Sequence, residues 1–485
     1  MNLTQRTVQS SLWNFSVNIL QLVLAFVRSV LLARWLEVDL FGIYAYASSI
    51  VALSLVVPRF GMDGAFLNRV PETEDEGTTA AIHFTLQLLF TIGWAGILLI
   101  GGYVAFDSSM FIPLLVLVAV GFVNQLCLTP RLILIRRVTH RRLASIAMID
   151  AALSTLIALG LAWFGGGIWA LLSMDIVTAL LATIGLYLWK PVWKPRFEWK
   201  QAENKYFLTY GRKTLLAIVI GNALDKLDDI WTGFFLGDRS LAFYSKAYAF
   251  ALMPSKIIGD QVNSVIRGSY AELKERRASL SKAFSLANEV MIRSGFFLAG
   301  ILFLIAPDLI QELLGDKWLP MVLPFQLMLI YTLFNPVKSS IGGLFVAVGR
   351  PETIVRARAI QLGIMLLGLF TLGFRYGIVG VAIAVDLMLI LGLFLQLLLA
   401  RDHVDYSWKD MFLNPFLCLI GGLVLYLVTS GWYHPANSWG AIIYSSLAFS
   451  LGYIGLYLLL EYHRLTGVYL PLVLDAIRGG DQQDQ

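Results

Sequence analysis

Apolar runs of about twenty residues, each long enough to cross a hydrocarbon core of about 30 Å as a helix, follow one another along this chain with short polar breaks between them. Glycine, proline and charge clusters mark the breaks. The pattern predicts spans near 11–34, 41–59, 80–104, 110–132, 143–164 and 168–189, then near 210–236, 241–266, 284–306, 321–347, 355–374 and 377–400. A last pair falls near 411–430 and 438–461. The expected fold is an all-α polytopic membrane protein of about 14 transmembrane helices.

After the sixth span the series is interrupted by Lys190–Phe207, where Trp193, Phe197, Trp199 and Tyr206 alternate with basic residues. Such a segment serves as an interfacial anchor between two halves, or as a binder of lipid headgroups. Sliding the sequence on itself by 200 positions sets Leu36, Tyr44 and Ala47 on Leu236, Tyr244 and Ala247, each trio at a helix–short loop–helix junction. The expected organisation is therefore two six-helix lobes, 1–189 and 210–400, related by a parallel repeat, because an even helix count brings both halves in from the same side. Residues 190–209 are the linker, residues 401–485 add two helices and a cytoplasmic tail, and a substrate path is expected between the halves.

Charge supports the same topology. With the amino terminus inside, twenty-five Lys and Arg fall in segments on the cytoplasmic side, against only Arg34, Arg239, Lys317 and Arg375 opposite. Cytoplasmic loops carry this excess in membrane proteins, so both termini are expected in the cytoplasm. The acidic run Pro71–Gly77 reads as a solvated turn. No short apolar region with a small-residue cleavage site opens the chain, so the first helix is expected to be retained.

Composition excludes a soluble globule: 58% of the 485 residues are hydrophobic and 14% charged, where soluble domains carry roughly a quarter charged residues. The net charge of +5 is scattered between apolar segments and forms no nucleic-acid-binding tail. Cys127 and Cys418 lie within apolar runs, which leaves neither a disulfide framework nor a metal-ligand spacing. No phosphate-binding GxxxxGK[ST] loop and no HExxH pair is present, and the five histidines are dispersed. Neither ATP hydrolysis nor another catalytic motif is visible, and no cofactor is expected.

The candidate chemistry lies in ionisable residues inside the predicted spans, which in a bilayer face a partner or a water-filled cavity. Asn14, Asn18, Gln21 and Arg28 share one face of the first span, and Asn222, Asp225, Asp229 and Thr232 share a face of the seventh, with Lys226 beside it. A cavity lined by both stripes is expected. Arg28 and Lys226 either contact a phosphate-bearing substrate, for which the planar guanidinium of Arg28 is the better fork, or neutralise Asp225, Asp228 and Asp229. Glu289 and Arg293, four apart, are expected to pair with each other. Lys338 follows Asn335-Pro336, where a broken helix exposes polar backbone. Lys246 and Lys256 lie near span ends and are expected to snorkel. Asp175 and Asp386, the lone carboxylates of their spans, with Asp225 and Asp229 are candidates for coupling to a proton or sodium ion.

Several stretches resemble one family: LLARWLEVDLFGIYAYAS and RFGMDGAFLNR in the first half, then LDKLDDIWTGFFLGDRSLAFYSKAYAFALMPSKI, LIQELLGDKWLPMVLPFQLM and LFVAVGRPE. They are similar to the polysaccharide-transporter branch of the multidrug/oligosaccharidyl-lipid/polysaccharide exporter superfamily, the flippases for O-antigen and exopolysaccharide repeat units. The resemblance covers nearly the whole chain. It implies an inner-membrane protein that exports an undecaprenyl-pyrophosphate-linked oligosaccharide by alternating access between two lobes, in company with polysaccharide polymerase machinery. It also implies cationic residues that hold the pyrophosphate, at Arg28 and Lys226 first, then Arg293 and Lys338. The acidic patch of Asp225, Asp228 and Asp229 departs from a purely cationic cavity. Two other readings remain open: a cation-coupled small-molecule exporter of the same superfamily, and a membrane sugar polymerase or ligase.

Overall fold

The structure is a computed structural model that describes residues 3–68, 76–137, 140–433, 435 and 437–464, with side chains from residue 19 to residue 462 apart from His140. Arg6, Arg69, Arg464, Arg478 and most of the acidic turn therefore lie outside the described side chains, as do Asn14 and Asn18. No strand occurs among the described residues.

The helices follow the apolar runs. The first are α1 (Leu3–Trp35), α2 (Val38–Ser54), α3 (Val56–Arg59), α4 (Met62–Asn68), α5 (Glu76–Ala105) and α6 (Ser108–Leu126). Next come α7 (Leu128–Arg136), α8 (His140–Trp163), α9 (Ile168–Thr183), α10 (Gln201–Leu236), α11 (Asp238–Leu273) and α12 (Arg277–Leu314). The series closes with α13 (Val322–Ala347), α14 (Pro351–Gly368), α15 (Phe374–Ala400), α16 (Asn414–Ser430) and α17 (Ser438–Arg464). Ten stretches among the described residues are long and apolar enough to cross a membrane, one of them, Pro351–Ala400, holding both α14 and α15. Helices α10 and α11, 36 residues each, are as long but more polar. Helical segments cover each predicted span to within a few residues, but 41–59 is divided between α2 and α3 and 110–132 between α6 and α7. Helix α11 instead extends seven residues beyond the expected 266, because the polar last turns continue an α-helix into water without loss of backbone hydrogen bonds.

By their contacts the residues form two compact units, Met1–Ser245 with Met365–Val381, and Lys246–Ile364 with Ala382–Gln485. In the first, α1 packs on α8, α8 on α9, and α10 on α2 and α4. A core of Met62, Phe66, Ile82, Phe84, Ile133 and Phe207 joins α4, α5, α7 and α10, and takes in Trp193 from the linker. The linker thus divides: Trp193 is buried, while Phe197 and Trp199 are exposed. Ile97, Ile100 and Leu156, about 70% exposed, are apolar surface of the kind that lipid tails cover.

The aligned repeat positions are alike in part: Leu36 is buried and Leu236 half-buried, Tyr44 half-buried and Tyr244 buried. Ala47 and Ala247 are fully buried, and each repeat tyrosine donates its hydroxyl to a carboxylate, Tyr44 to Asp175 and Tyr244 to Asp228. At the start of α2, Gly42 lies so close to the start of α11 that a Cβ there would sit 1.8 Å from the carbonyl oxygen of Asp238. Rigid backbone cannot yield as a side-chain tip can. Gly42→Ala is expected to destabilise the protein by about 1–3 kcal/mol, read as a lower melting temperature in detergent, whereas Gly160→Ala, with nothing within 4 Å, leaves it unchanged or higher.

In the second unit α12 is central, packing on α13, α16 and α17. Its core gathers Tyr270, Phe284, Met291, Phe296, Phe345, Phe449 and Tyr453. Helices α16 and α17 approach backbone to backbone: a Cβ on Gly452 would lie 2.7 Å from the carbonyl oxygen of Gly421. Small residues allow such contact where lipid tails offer no hydrophobic contrast. At the aqueous end, Arg277 donates to both carboxylate oxygens of Asp405 and to the carbonyls of Arg401 and Asp402. That hydrogen bonding and the guanidinium charge hold the Asp405 carboxyl below its usual range.

Candidate functional site

Four helices of the first unit, α1, α2, α8 and α9, line an open-sided cavity of about 380 Å³. Its polar lining is Gln21 and Arg28 from α1, Tyr44 from α2, Asp150, Ser154 and Thr155 from α8, and Asp175 and Thr178 from α9. Helical spacing explains the convergence. Positions 21 and 28 are two turns apart on one face of α1, 150 and 154 are one turn apart on α8, and 175 and 178 are neighbours on α9.

The cavity wall is organised by hydrogen bonds that cross from helix to helix. Arg28 donates from Nη1 to Oγ of Ser154 at 2.8 Å, Tyr44 donates to Oδ2 of Asp175 at 2.7 Å, and Thr178 donates to Oδ1 of Asp150 at 2.9 Å. Among the described residues, no carboxylate comes within 4.0 Å of the Arg28 guanidinium. A neutral hydroxyl therefore orients this cation, while the carboxyls of Asp150 and Asp175 stand on the same wall without pairing with it directly. A guanidinium has five donors, so most of its capacity remains for a ligand.

The other candidates are placed differently. Lys226, half-buried on α10, is paired with Asp229 at 3.2 Å, and Asp229 also accepts from Ser49 at 2.9 Å. The acidic patch is thus divided: Asp228 and Asp229 are buried, Asp225 is exposed and Asn222 is half-buried. Arg293 is buried on α12. It donates from Nε and Nη2 to the two oxygens of Glu461 at 2.8 and 2.7 Å, and lies 3.4 Å from Glu289. The pairing of Arg293 with Glu289 read from their spacing is present, and Glu461 of α17 is an additional and closer partner.

Lys338 is half-buried on α13, whose helix continues through Pro336. The carbonyl of Pro336 is taken up by Asn263 Nδ2 at 3.0 Å. Lys246 lies buried with its ammonium 5.4 Å from the centre of the Trp318 ring. Asp386 is buried on α15, and its Oδ1 has no hydrogen-bond partner among the described residues. Asn18 carries no described side chain. No three His, Cys, Asp or Glu side chains gather as they would around a metal ion among the described residues.

The structure thus brings together Gln21, Arg28 and Asp175 from the sequence-derived set with Asp150, an ionisable residue inside a predicted span, and adds Tyr44, Ser154, Thr155 and Thr178. The additions were partly readable. Asp150 and Ser154 at a spacing of four, and Asp175 and Thr178 at three, are polar pairs on otherwise apolar helices, the same signal that singled out α1. Tyr44 had no such signal, since a tyrosine in an apolar helix is equally at home in packing.

Fold and site together define an integral membrane protein of apolar helices that keeps an amphoteric cavity within one unit. Residues 31–323 match the family described as "Polysaccharide biosynthesis protein", and the chain belongs to that family. It is 23% identical to an "Uncharacterized membrane protein in cps region" of Klebsiella pneumoniae, over 88% of this chain and 90% of that one. It is 26% identical to the "Succinoglycan biosynthesis transport protein ExoT" of Rhizobium meliloti, over 61% of this chain and 60% of that one. Among solved structures it shares the fold of the lipid II flippase MurJ in an inward closed conformation, with a TM-score of 0.77 and 16% identity over 93% of this chain and 99% of that one.

Proposed function

We propose that this protein is a flippase that carries an undecaprenyl-pyrophosphate-linked oligosaccharide repeat unit from the cytoplasmic to the outer leaflet of a bacterial inner membrane, by alternating access, for assembly of a surface polysaccharide. The observation that carries the reading is Arg28: a guanidinium lining a cavity among apolar helices, oriented by Ser154 and in direct contact with no carboxylate among the described residues. A diphosphate is matched by that planar fork. Family membership supports a role in polysaccharide biosynthesis, and the names of the Rhizobium transport protein and of the lipid II flippase agree with movement of such a cargo. Lys226 and Lys338 are proposed as secondary cations along the path, with Gln21, Asn18 and Asn222 as polar contacts.

The proposed topology has fourteen spans and cytoplasmic termini, with six-helix lobes at 1–189 and 210–400, the linker at 190–209 and the added pair within 401–485. It agrees with exposed aromatic rings at three helix ends that it assigns to the outer interface: Tyr103, Trp163 with Phe164, and Trp432. Rings favour that depth. Polymerase machinery would receive the cargo on that side.

Deleting the chain is expected to abolish surface polymer and to leave lipid-linked repeat units on the cytoplasmic leaflet of inverted vesicles, where an impermeant glycosidase reaches them. Unimpaired polymer in the deletion strain overturns the assignment. The two carboxyls beside Arg28 support a second reading, a cation-coupled small-molecule exporter, in which Asp175 and Asp386, then Asp225 and Asp229, are the coupling candidates. It predicts a cation-dependent drug-resistance phenotype together with normal polymer.

A further inference from the structure

A diphosphate explains Arg28 but not the rest of the wall. Two carboxyls, Asp150 and Asp175, line the same 380 Å³ as the single guanidinium, so a site for phosphate alone would set two like charges against its own ligand. A simple cation would meet Arg28 in turn. A ligand that satisfies both kinds of wall group is neutral over most of its surface and both donates and accepts hydrogen bonds. A saccharide has that character at every hydroxyl.

The geometry agrees in detail. Thr178 uses Oδ1 of Asp150 and Tyr44 uses Oδ2 of Asp175, so each carboxylate keeps its second oxygen as an acceptor, held in a fixed direction by the first bond. Carboxylates fixed in this way receive hydroxyl donors in short, charge-assisted bonds. Opposite in chemistry, Arg28 and Gln21 donate to ring, glycosidic or acyl oxygens. The volume lies in the range of about 300–1,000 Å³ typical of small-ligand sites, and its polar lining does not suit a prenyl chain.

We infer that this cavity is the saccharide subsite of the cargo: Asp150 and Asp175 accept hydrogen bonds from hydroxyls of the sugar nearest the pyrophosphate, while Arg28 stands where sugar and phosphate join. The inference rests on the flippase reading above and adds to it a role for the two carboxyls, which become determinants of sugar specificity. A sugar lacking the matching hydroxyl leaves a carboxylate facing no donor, which is how a polar site rejects a deoxy analogue.

The test is equilibrium binding to the purified full-length protein in lipid nanodiscs. The probes are undecaprenyl pyrophosphate and its derivatives bearing one glucose, one galactose or one N-acetylglucosamine. At least one sugar-bearing probe is expected to bind about tenfold or more tightly than the bare diphosphate, the worth of one or two hydrogen bonds to a charged group. Asp150→Asn and Asp175→Asn, which keep the shape, are expected to erase that gain while affinity for the bare diphosphate holds or rises, since a repelling charge has gone. A merely structural role would lower both affinities together.

The wild-type comparison stands whatever the variants do, and melting profiles identify any variant that fails to fold. Equal binding of bare and sugar-bearing probes by wild type, or an undiminished sugar gain in both folded variants, overturns the subsite and leaves the flippase reading in place. Failure of every probe to bind, with normal polymer in the deletion strain, removes both.

Discussion

Arg28→Ala protein, present in the membrane at its normal level, is expected to lose about 90–99% of lipid-linked repeat-unit translocation. The estimate follows from the roughly 1.5–3 kcal/mol that a hydrogen bond to a charged group contributes, at tenfold per 1.4 kcal/mol. Loss of surface polymer with cargo accumulating on the cytoplasmic leaflet is the signature. Arg28→Lys, which keeps the charge but not the planar fork, is expected to fall between the two. The fold is expected to tolerate both changes, because Arg28 bonds only to Ser154 among the described residues, and a serine hydroxyl left facing a wet cavity is readily hydrated. Full activity of the alanine variant would remove Arg28 from the mechanism and with it the observation on which the proposed cargo chemistry rests.

The second large effect is one of stability. Arg293 joins α12 to the C-terminal helices: its guanidinium meets both oxygens of Glu461, Glu289 and the carbonyl of Asp410. Asn414 also donates to Glu461, and Tyr453 donates to the carbonyl of Arg293. The three charged side chains are deeply buried, Arg293 at 8%, Glu289 at 6% and Glu461 at 2% exposure. Removing one partner strands charge away from water, which costs about 3–5 kcal/mol.

Arg293→Ala is therefore expected to lower the melting temperature in detergent sharply and to reduce the amount of protein in the membrane, while each surviving molecule still translocates. In the Glu461→Gln background the same change should be milder, since the two residues share one network. Normal abundance with lost translocation would instead return Arg293 to the substrate path, the role that the family resemblance implied. The geometry favours an anchor for α17, a helix that lies outside the repeat read from the sequence.

These two arginines show what could be read in advance and what could not. Both sit in apolar helices, and local pattern marks both as exceptional. For Arg28 the pattern went further, because Gln21 lies two turns away on the same face and does line the same cavity. For Arg293 it went as far as Glu289, one turn away. Glu461, 168 positions downstream, has no local signature that links it to α12. Lys226 is a similar case: its neighbour Asp229 was visible as a candidate partner, whereas Ser49, which bonds the same carboxylate from α2, was not.

What the sequence determined by itself was the class of the molecule and the course of its helices. The bilayer imposes one length scale and one polarity rule, and satisfaction of backbone hydrogen bonds within each span leaves the helix as the local solution. Those constraints act over about twenty residues and can be read from a window of that size. Only the tertiary structure decided which intramembrane charges are joined and which face a cavity. Arg28 meets a hydroxyl, Lys226 and Arg293 meet carboxylates, and Asp150 and Asp175 come to share one wall. Those outcomes depend on which helices are neighbours and how each is rotated. Apolar surfaces that lipid covers as well as another helix does leave rotation and neighbour choice to close packing and to a few polar contacts far apart in the chain.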